Sequence, residues 1–187
     1  FPAATTEPLF VPSAAESGIK LTCEFDVRYN GDVTIVADFD VRKSLRQTST
    51  TYKLQPTIRL IVDDEAGRIA GTASNMEDGY TYVVYAYEAD GYTAAEADDP
   101  ASVDDVRFPD AVTSFKLDDT ADGTADGISE YVLAFLSVDM TYDLVVARYI
   151  DPATDTGTVP AVIAAEDLGV ESKGSTAQNI DLSTLTF

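Results

Sequence analysis

The fold is decided by residues 18–41, which read GIKLTCEFDVRYNGDVTIVADFDV. Apolar and polar residues alternate on both sides of the pair Asn30-Gly31, and that pair is the strongest short signal for a β-hairpin turn. The first strand places Cys23 among the apolar residues of one face, and the second does the same with Phe39. We therefore predict two long strands, at residues 18–28 and 33–41, joined by a tight turn.

Further strands are predicted on either side of this hairpin. A short strand is predicted at residues 9–11 and a long one at residues 52–62, in which Pro56 removes a backbone donor and indicates an edge strand or a bulge. The acidic run at residues 63–67 predicts a domain boundary. Seven more strands are predicted beyond it, at residues 68–73, 80–88, 112–117, 130–137, 141–150, 159–164 and 179–187.

These elements predict an all-β fold, because no segment has the period of an amphipathic helix of useful length. We expect two immunoglobulin-like or prealbumin-like β-sandwiches in tandem. Residues 1–8 would be an N-terminal extension or donor strand, residues 9–64 a partial sandwich and residues 65–187 a second sandwich. Because the first sandwich has too few strands, we expect a strand from a neighbouring molecule to complete it.

The composition limits the partners. The 187 residues carry 33 Asp and Glu against 12 Lys and Arg, which gives a formal charge of −21. Such a chain repels nucleic acid and anionic lipid. No apolar run is long enough to span a bilayer, so membrane insertion is not expected either. The charge favours solubility, cation binding and tolerance of salt, and we expect an extracellular or cell-surface location.

The residues that most enzymes use are scarce. The chain has no histidine, the commonest general base and zinc ligand. Its single cysteine, Cys23, cannot form an internal disulfide or a thiolate metal site, and its strand pattern predicts a small buried side chain. Serine-nucleophile motifs and phosphate-binding glycine loops are also missing. The chain is therefore not expected to be an enzyme.

Residues 11–60 contain three motifs in a fixed order: VPS with SGIKL at 11–13 and 17–21, ADFDVRKS at 37–44, and YKLQPTIRL at 52–60. Together they resemble the C-terminal part, at about residues 9–62, of the secreted family called domain of unknown function 4382. The resemblance implies a further set of strands before this region, and no residues of the chain correspond to them. Two explanations stay open. The precursor was cut, which agrees with a start at Phe1 without a methionine or a signal segment, or the missing strands come from a neighbour.

The second half resembles a prealbumin-like, carboxypeptidase-regulatory sandwich. The residues that carry this resemblance are RIAGTA at 68–73, YVVYAY at 82–87 and FLSVDMTYDLVV at 135–146. The last departs from the fold's usual strand pair, because Asp139-Met140 stands where a glycine is usual. The resemblance implies a stalk or spacer module of a secreted protein.

One loop is a candidate calcium site. Residues 118–127 alternate carboxylates with glycine, and such a loop can give a hard cation several oxygen ligands. The spacing departs from an EF-hand loop at Thr120 and Ser129, so an acidic hairpin loop is the favoured interpretation and calcium the alternative. No other cofactor is expected. The candidate ligands are Asp118, Asp119, Asp122 and Asp126.

Two further patterns could carry function. Asp38 and Asp40 share a strand face and could form an acid–base pair, but a row of surface charges, paired across strands with Arg59 or Lys20, explains them better. A group of tyrosines could form a platform for glycans. A sandwich strand must bury one face, so at least half of them are expected in the core. They are Tyr80, Tyr82, Tyr85, Tyr87 and Tyr92.

The leading hypothesis is a structural subunit of a surface filament or pilus-like fibre, in which copies of the chain share strands by donor-strand complementation. Such a contact propagates without closing. The donor is expected at a terminus, with a slight preference for the N-terminal one. One competing hypothesis is a monomeric glycan- or surface-binding module of a larger secreted protein, and another is a hydrolase using Asp38 and Asp40. The apolar anchors of the two donor candidates are Leu9, Phe10 and Val11, and Ile180, Leu182, Leu185 and Phe187.

Overall fold

The computed structural model describes residues 8–12, 20–22, 26–27, 31–47, 51–98, 106–121, 123–149, 159–162 and 168–187. This part of the chain holds fourteen β-strands, one four-residue helix and three short 3-10 turns, so the predicted all-β class is confirmed. None of its helices is long and apolar enough to cross a membrane. The helix is α1 (Val41–Ser44), and the strands are β1 (Leu9–Phe10), β2 (Ile35–Phe39), β3 (Leu45–Gln47), β4 (Tyr52–Leu54), β5 (Ile58–Val62), β6 (Ala66–Ser74), β7 (Thr81–Glu88), β8 (Thr113–Lys116), β9 (Ser129–Ser137), β10 (Thr141–Tyr149), β11 (Val159–Val162), β12 (Leu168–Gly169), β13 (Ser175–Ala177) and β14 (Ile180–Asp181).

The first part, the described residues up to 64, forms two small sheets. In one, the order is β1-β4-β3, with β1 parallel to β4 and β3 antiparallel to it. The other contains only β2 and β5, paired antiparallel. Of the strand predicted at residues 18–28, residues 20–22 and 26–27 are described and are not in a strand. Cys23 and Asn30 lie outside the described residues.

Two predicted strands of the first part end early. The strand predicted at residues 52–62 is split into β4 and β5 at Pro56, which has no N–H for a ladder, and Gln55 N donates instead to Ser44 O at 2.8 Å. The strand predicted at residues 33–41 stops at Phe39. Asp40 follows as the N-cap of α1, where its carboxylate accepts from Lys43 N at 2.9 Å.

Ser44→Ala is expected to cost about 1–2 kcal/mol of stability, because it deletes two hydrogen bonds of a buried hydroxyl. Ser44 is fully buried, and its hydroxyl donates to Asp40 O at 2.5 Å and accepts from Thr57 N at 2.8 Å. Thermal unfolding, together with amide exchange at Thr57, measures the loss. The exposed Ser175→Ala is the control and should stay within about 0.5 kcal/mol. Equal changes in the two variants would contradict a structural role for the Ser44 hydroxyl.

The second part, the described residues from 65 onward, is a β-sandwich. In one sheet β6 pairs with β9 along one edge and with the parallel strands β13 and β14 along the other. The second sheet has the order β11-β10-β7-β8, and β12 also pairs with β10. Both sheets contribute to one core, whose strand residues are Ile69, Ala73, Tyr131 and Leu133 from the first sheet and Tyr82, Val84, Ala86, Tyr142, Leu144 and Val146 from the second.

Most strands of the second part lie where they were predicted, but three differences are clear. β12 and β13 were not predicted, and the strand predicted at residues 179–187 is wrong beyond Asp181. A 3-10 turn follows at Leu182–Thr184. The cause is local, because Asp181 Oδ1 accepts hydrogen bonds from Ser183 N at 3.0 Å and Ser183 Oγ at 2.7 Å, which draws the backbone out of the ladder.

The two ends of the sandwich differ in what they carry. Strand register places Ala66 beside Ser137 and Glu88 beside Tyr142 at one end, which we call the near end. The first part lies there. The opposite or far end carries the loop at residues 75–80 and the described residues of the loop at 117–128, which are joined where Met76 N donates to Gly127 O at 3.0 Å. The first part and these two loops therefore lie at opposite ends of the sandwich.

Candidate assembly surface

Exposed apolar side chains are concentrated in the first part. Among the described residues, every buried hydrophobic residue lies at Ala66 or beyond, so the first part has no hydrophobic core of its own. Of the twelve exposed large hydrophobic residues, nine lie in the first part. A domain that folds alone buries such residues. The nine are Leu9, Phe10, Val11, Leu21, Val27, Ile35, Phe39, Val41 and Leu45.

The β2–β5 sheet has an open apolar face. Ile35 and Phe39 on this face are each 37% exposed. The opposite face is polar: Arg59 Nη2 lies 2.6 Å from Asp38 Oδ2, and Arg59 Nη1 donates to Phe135 O at 3.1 Å, which turns this face toward the second part. No strand of the described residues pairs with the outer edge of β2 or of β5. Residues paired across two strands share a face, so the apolar face consists of Ile35, Ala37, Phe39, Ile58, Leu60 and Val62.

The N-terminal donor candidate lies at an edge of the first part. β1 pairs with β4 through only two residues, Leu9 with Tyr52 and Phe10 with Lys53. Leu9, Phe10 and Val11 remain 48%, 61% and 38% exposed. Residues 1–7 lie outside the described part. A contact this short leaves the apolar side chains of β1 available to a neighbouring molecule.

The C-terminal donor candidate is used within its own sandwich. Ile180 and Leu182 are 2% and 3% exposed and belong to the main core. Leu185 and Phe187 pack against that core, and the Phe187 ring lies edge-on to Tyr82 with the centroids 5.7 Å apart. Releasing this segment would open the core, so the structure favours the N-terminal candidate.

Basic side chains of the first part hold the near end of the sandwich. Arg42 Nη1 donates to Arg107 O at 2.6 Å and Phe108 O at 3.1 Å, and Lys43 Nζ donates to Ala111 O at 2.8 Å. The Arg42 guanidinium also lies 5.3 Å from the centre of the Tyr85 ring. Burial lowers the pKa of Lys43, and the Arg42 charge beside it lowers it further. The sequence marked these bases as a cluster but not as a clamp.

The two carboxylates considered for acid–base work are structural. Asp38 pairs with Arg59 across the β2–β5 ladder at 2.6 Å, as the surface-charge interpretation predicts. Asp40 caps α1 and lies 3.7 Å from Arg42 Nη2. Neither carboxylate is left free to act on a substrate.

The candidate calcium loop satisfies its own carboxylates. Asp118 Oδ1 accepts from Thr120 N and Oγ1 at 2.9 and 2.7 Å, which lowers the pKa of Asp118. Asp126 Oδ1 accepts from Ile128 N at 3.0 Å. Asp119 does not join these carboxylates in a cluster, and Asp122 lies outside the described residues. Within the described part of the loop, no three acidic residues come together as a metal site would require.

The tyrosines of β7 belong to two cores. Tyr82 points into the sandwich, whereas Tyr85 and Tyr87 lie on the outer face and pack with Phe108. All three are at most 2% exposed, because the segment between β7 and β8 covers the outer face. Tyr80 and Tyr92 are partly buried. No exposed row of tyrosines is therefore formed by these five residues.

Charge is divided unevenly between the two parts. Residues 1–64 carry nine acidic and seven basic residues, whereas residues 65–187 carry 24 acidic and five basic ones. The chain is therefore nearly neutral in its first part and strongly acidic in its second. A count of charges by half would have shown this from the sequence.

Comparison with known proteins identifies only the first part. No curated protein and no solved structure is significantly similar to the chain. Residues 3–56 match the family described as Domain of unknown function (DUF4382), which confirms the resemblance carried by the motifs at residues 11–60.

Proposed function

We propose that the chain is a structural subunit of an extracellular, pilus-like surface filament in which neighbouring copies are joined by strand sharing. In this proposal the first part is an unfinished sandwich of the immunoglobulin-like or prealbumin-like kind, and a strand of the neighbouring copy completes it. The partner is another copy of the chain, and no catalytic activity is assigned.

The observation that carries the proposal is the open apolar face of the β2–β5 sheet. A two-stranded sheet is marginally stable in water at best. Here both outer edges lack a partner among the described residues, and one face keeps six apolar side chains with Ile35 and Phe39 more than a third exposed. An added strand would satisfy the free backbone groups and cover the apolar side chains in one step.

The donor in this proposal is the N-terminal segment. Leu9, Phe10 and Val11 are exposed and weakly attached, whereas the C-terminal alternative is part of the main core. The segment of one copy would add to an open sheet edge of the next. Because donor and acceptor are different surfaces, each added copy leaves a new acceptor free and the chain of copies does not close.

Deleting residues 1–10 is expected to abolish filaments, since it removes the donor. Negative-stain electron microscopy and sedimentation velocity of the purified protein measure the outcome. A full-length variant with Leu9→Ser, Phe10→Ser and Val11→Ser separates the loss of apolar anchors from the loss of length, and it should fail in the same way. Filaments of normal length from the deletion variant would reject this donor. A wild-type chain that stays monomeric at every concentration would reject the filament itself.

A further inference from the structure

We propose that copies meet head to tail, with a basic face of the β1-β4-β3 sheet of one copy against the far end of the next. This inference rests on the proposed filament and adds its polarity. The occupant of the basic face is thus a second copy of this chain.

The basic face follows from strand register. Arg46 pairs with Lys53, and Lys53 pairs with Phe10, so these three side chains form one row across the sheet. Phe10 is 61% exposed. Two positive side chains directly opposite each other repel, and no carboxylate of the described residues pairs with either. Arg46 Nη1 is also buried without a hydrogen-bond acceptor among them. This row therefore lacks an anionic partner within its own chain.

The far end supplies that partner chemistry. Its loops and strand ends are exposed and strongly acidic, and only Lys116 and Arg148 are basic there. Arg148 is already engaged, 3.8 Å from Glu77 and 4.5 Å above the Tyr80 ring. Ile128 and Val132 give this end an apolar contact as well, at 45% and 43% exposure. The acidic residues are Glu77, Asp78, Asp118, Asp119, Asp126, Glu130 and Asp181.

Charge selects this arrangement over its alternatives. Two far ends facing each other would bring like charges within a Debye length, about 8 Å at physiological ionic strength. Two basic rows facing each other would repel in the same way. Only basic row against far end places opposite charges in contact. Since the two surfaces lie at opposite ends of the molecule, the contact repeats along one axis.

The test is a double charge reversal, Arg46→Glu with Lys53→Glu. Its control is Arg68→Glu with Lys173→Glu, which reverses two exposed bases of the second part and changes the formal charge by the same amount. The critical concentration for assembly is measured by pelleting at one fixed salt concentration. Circular dichroism and thermal unfolding confirm that both variants fold. We expect the critical concentration to rise at least about tenfold for the first variant and less than about threefold for the control.

Rescue makes the test specific. Adding Asp118→Arg and Asp126→Arg to the Arg46→Glu, Lys53→Glu variant restores the opposite charges with their signs exchanged, and assembly should return. Normal assembly of the double reversal would overturn the inference. An equal loss in variant and control would also overturn it, because net charge alone would then explain the effect. If the wild type forms no filament, the proposed function is rejected and the polarity falls with it.

Discussion

Gly71→Ala is expected to lower the stability of the second part by about 3 kcal/mol and its melting temperature by about 10 °C. A Cβ at Gly71 would collide with the backbone carbonyl of Gln178, where the chain passes from β13 to β14. That carbonyl accepts from the buried Tyr131 hydroxyl at 2.5 Å, and Gln178 N donates to Ala70 O at 3.0 Å. Because the carbonyl is held from two sides, it cannot move away as a flexible side chain could.

Gly169→Ala is the matched control for this substitution. No atom lies within 4 Å of a Cβ at Gly169, so its expected change stays within about 0.5 kcal/mol. Calorimetric unfolding of the two variants measures the difference. A Gly71→Ala variant that melts like the wild type would mean that the β13–β14 crossing does not lie against β6 as described.

Strand positions in the second part could be predicted from the sequence because they depend on local patterns. β7 is an example, since the run from Tyr82 to Tyr87 has strand-forming residues throughout. The same run is apolar at every position, which is typical of a strand buried on both faces. The alternation rule used for prediction assumes one solvent face, and so it missed that Tyr85 and Tyr87 have a core of their own under the segment that carries Phe108.

Contacts between residues far apart in sequence could not be predicted in this way. The clamp joins Arg42 to carbonyls more than 60 residues away, and the motif around it shows only that the bases are close together. β9 gives a second example, because Phe135 has a φ of 59° and the register with β6 shifts nearby. An aromatic residue in the left-handed region is rare and depends on its surroundings. Strand alternation therefore gives no signal for this bulge.

The candidate site was predictable in its chemistry but not in its geometry. The motifs at residues 11–60 indicated a domain with too few strands, and the structure adds which face is left open. Alternation in β2 groups Ile35 with Phe39, yet it cannot say whether that face meets the second part or solvent. The ion pair of Asp38 with Arg59 decides this, since it fixes the polar face against the second part.

Replacing Ile35 and Phe39 with threonine is expected to raise the critical concentration for assembly about tenfold or more while leaving the chain folded. Each side chain is 37% exposed, so covering it completely on assembly contributes roughly a third of the 1.5–3 kcal/mol of a fully buried large apolar side chain. The two together account for about 1.4 kcal/mol or more, which is a factor of ten in the binding constant. Threonine keeps the preference for a β-strand, so β2 should still form.

The controls for this variant separate assembly from folding. Val132→Thr with Met140→Thr makes the same kind of change at two exposed apolar side chains of the second part, 43% and 38% exposed, and should alter the critical concentration far less. Thermal unfolding of the single chains shows whether either pair disturbs the fold. A large loss of stability in the Ile35 and Phe39 variant would mean that this face is already covered within one copy. Normal assembly of a folded variant would mean that the copies meet elsewhere, and an open face would then no longer argue for a shared strand.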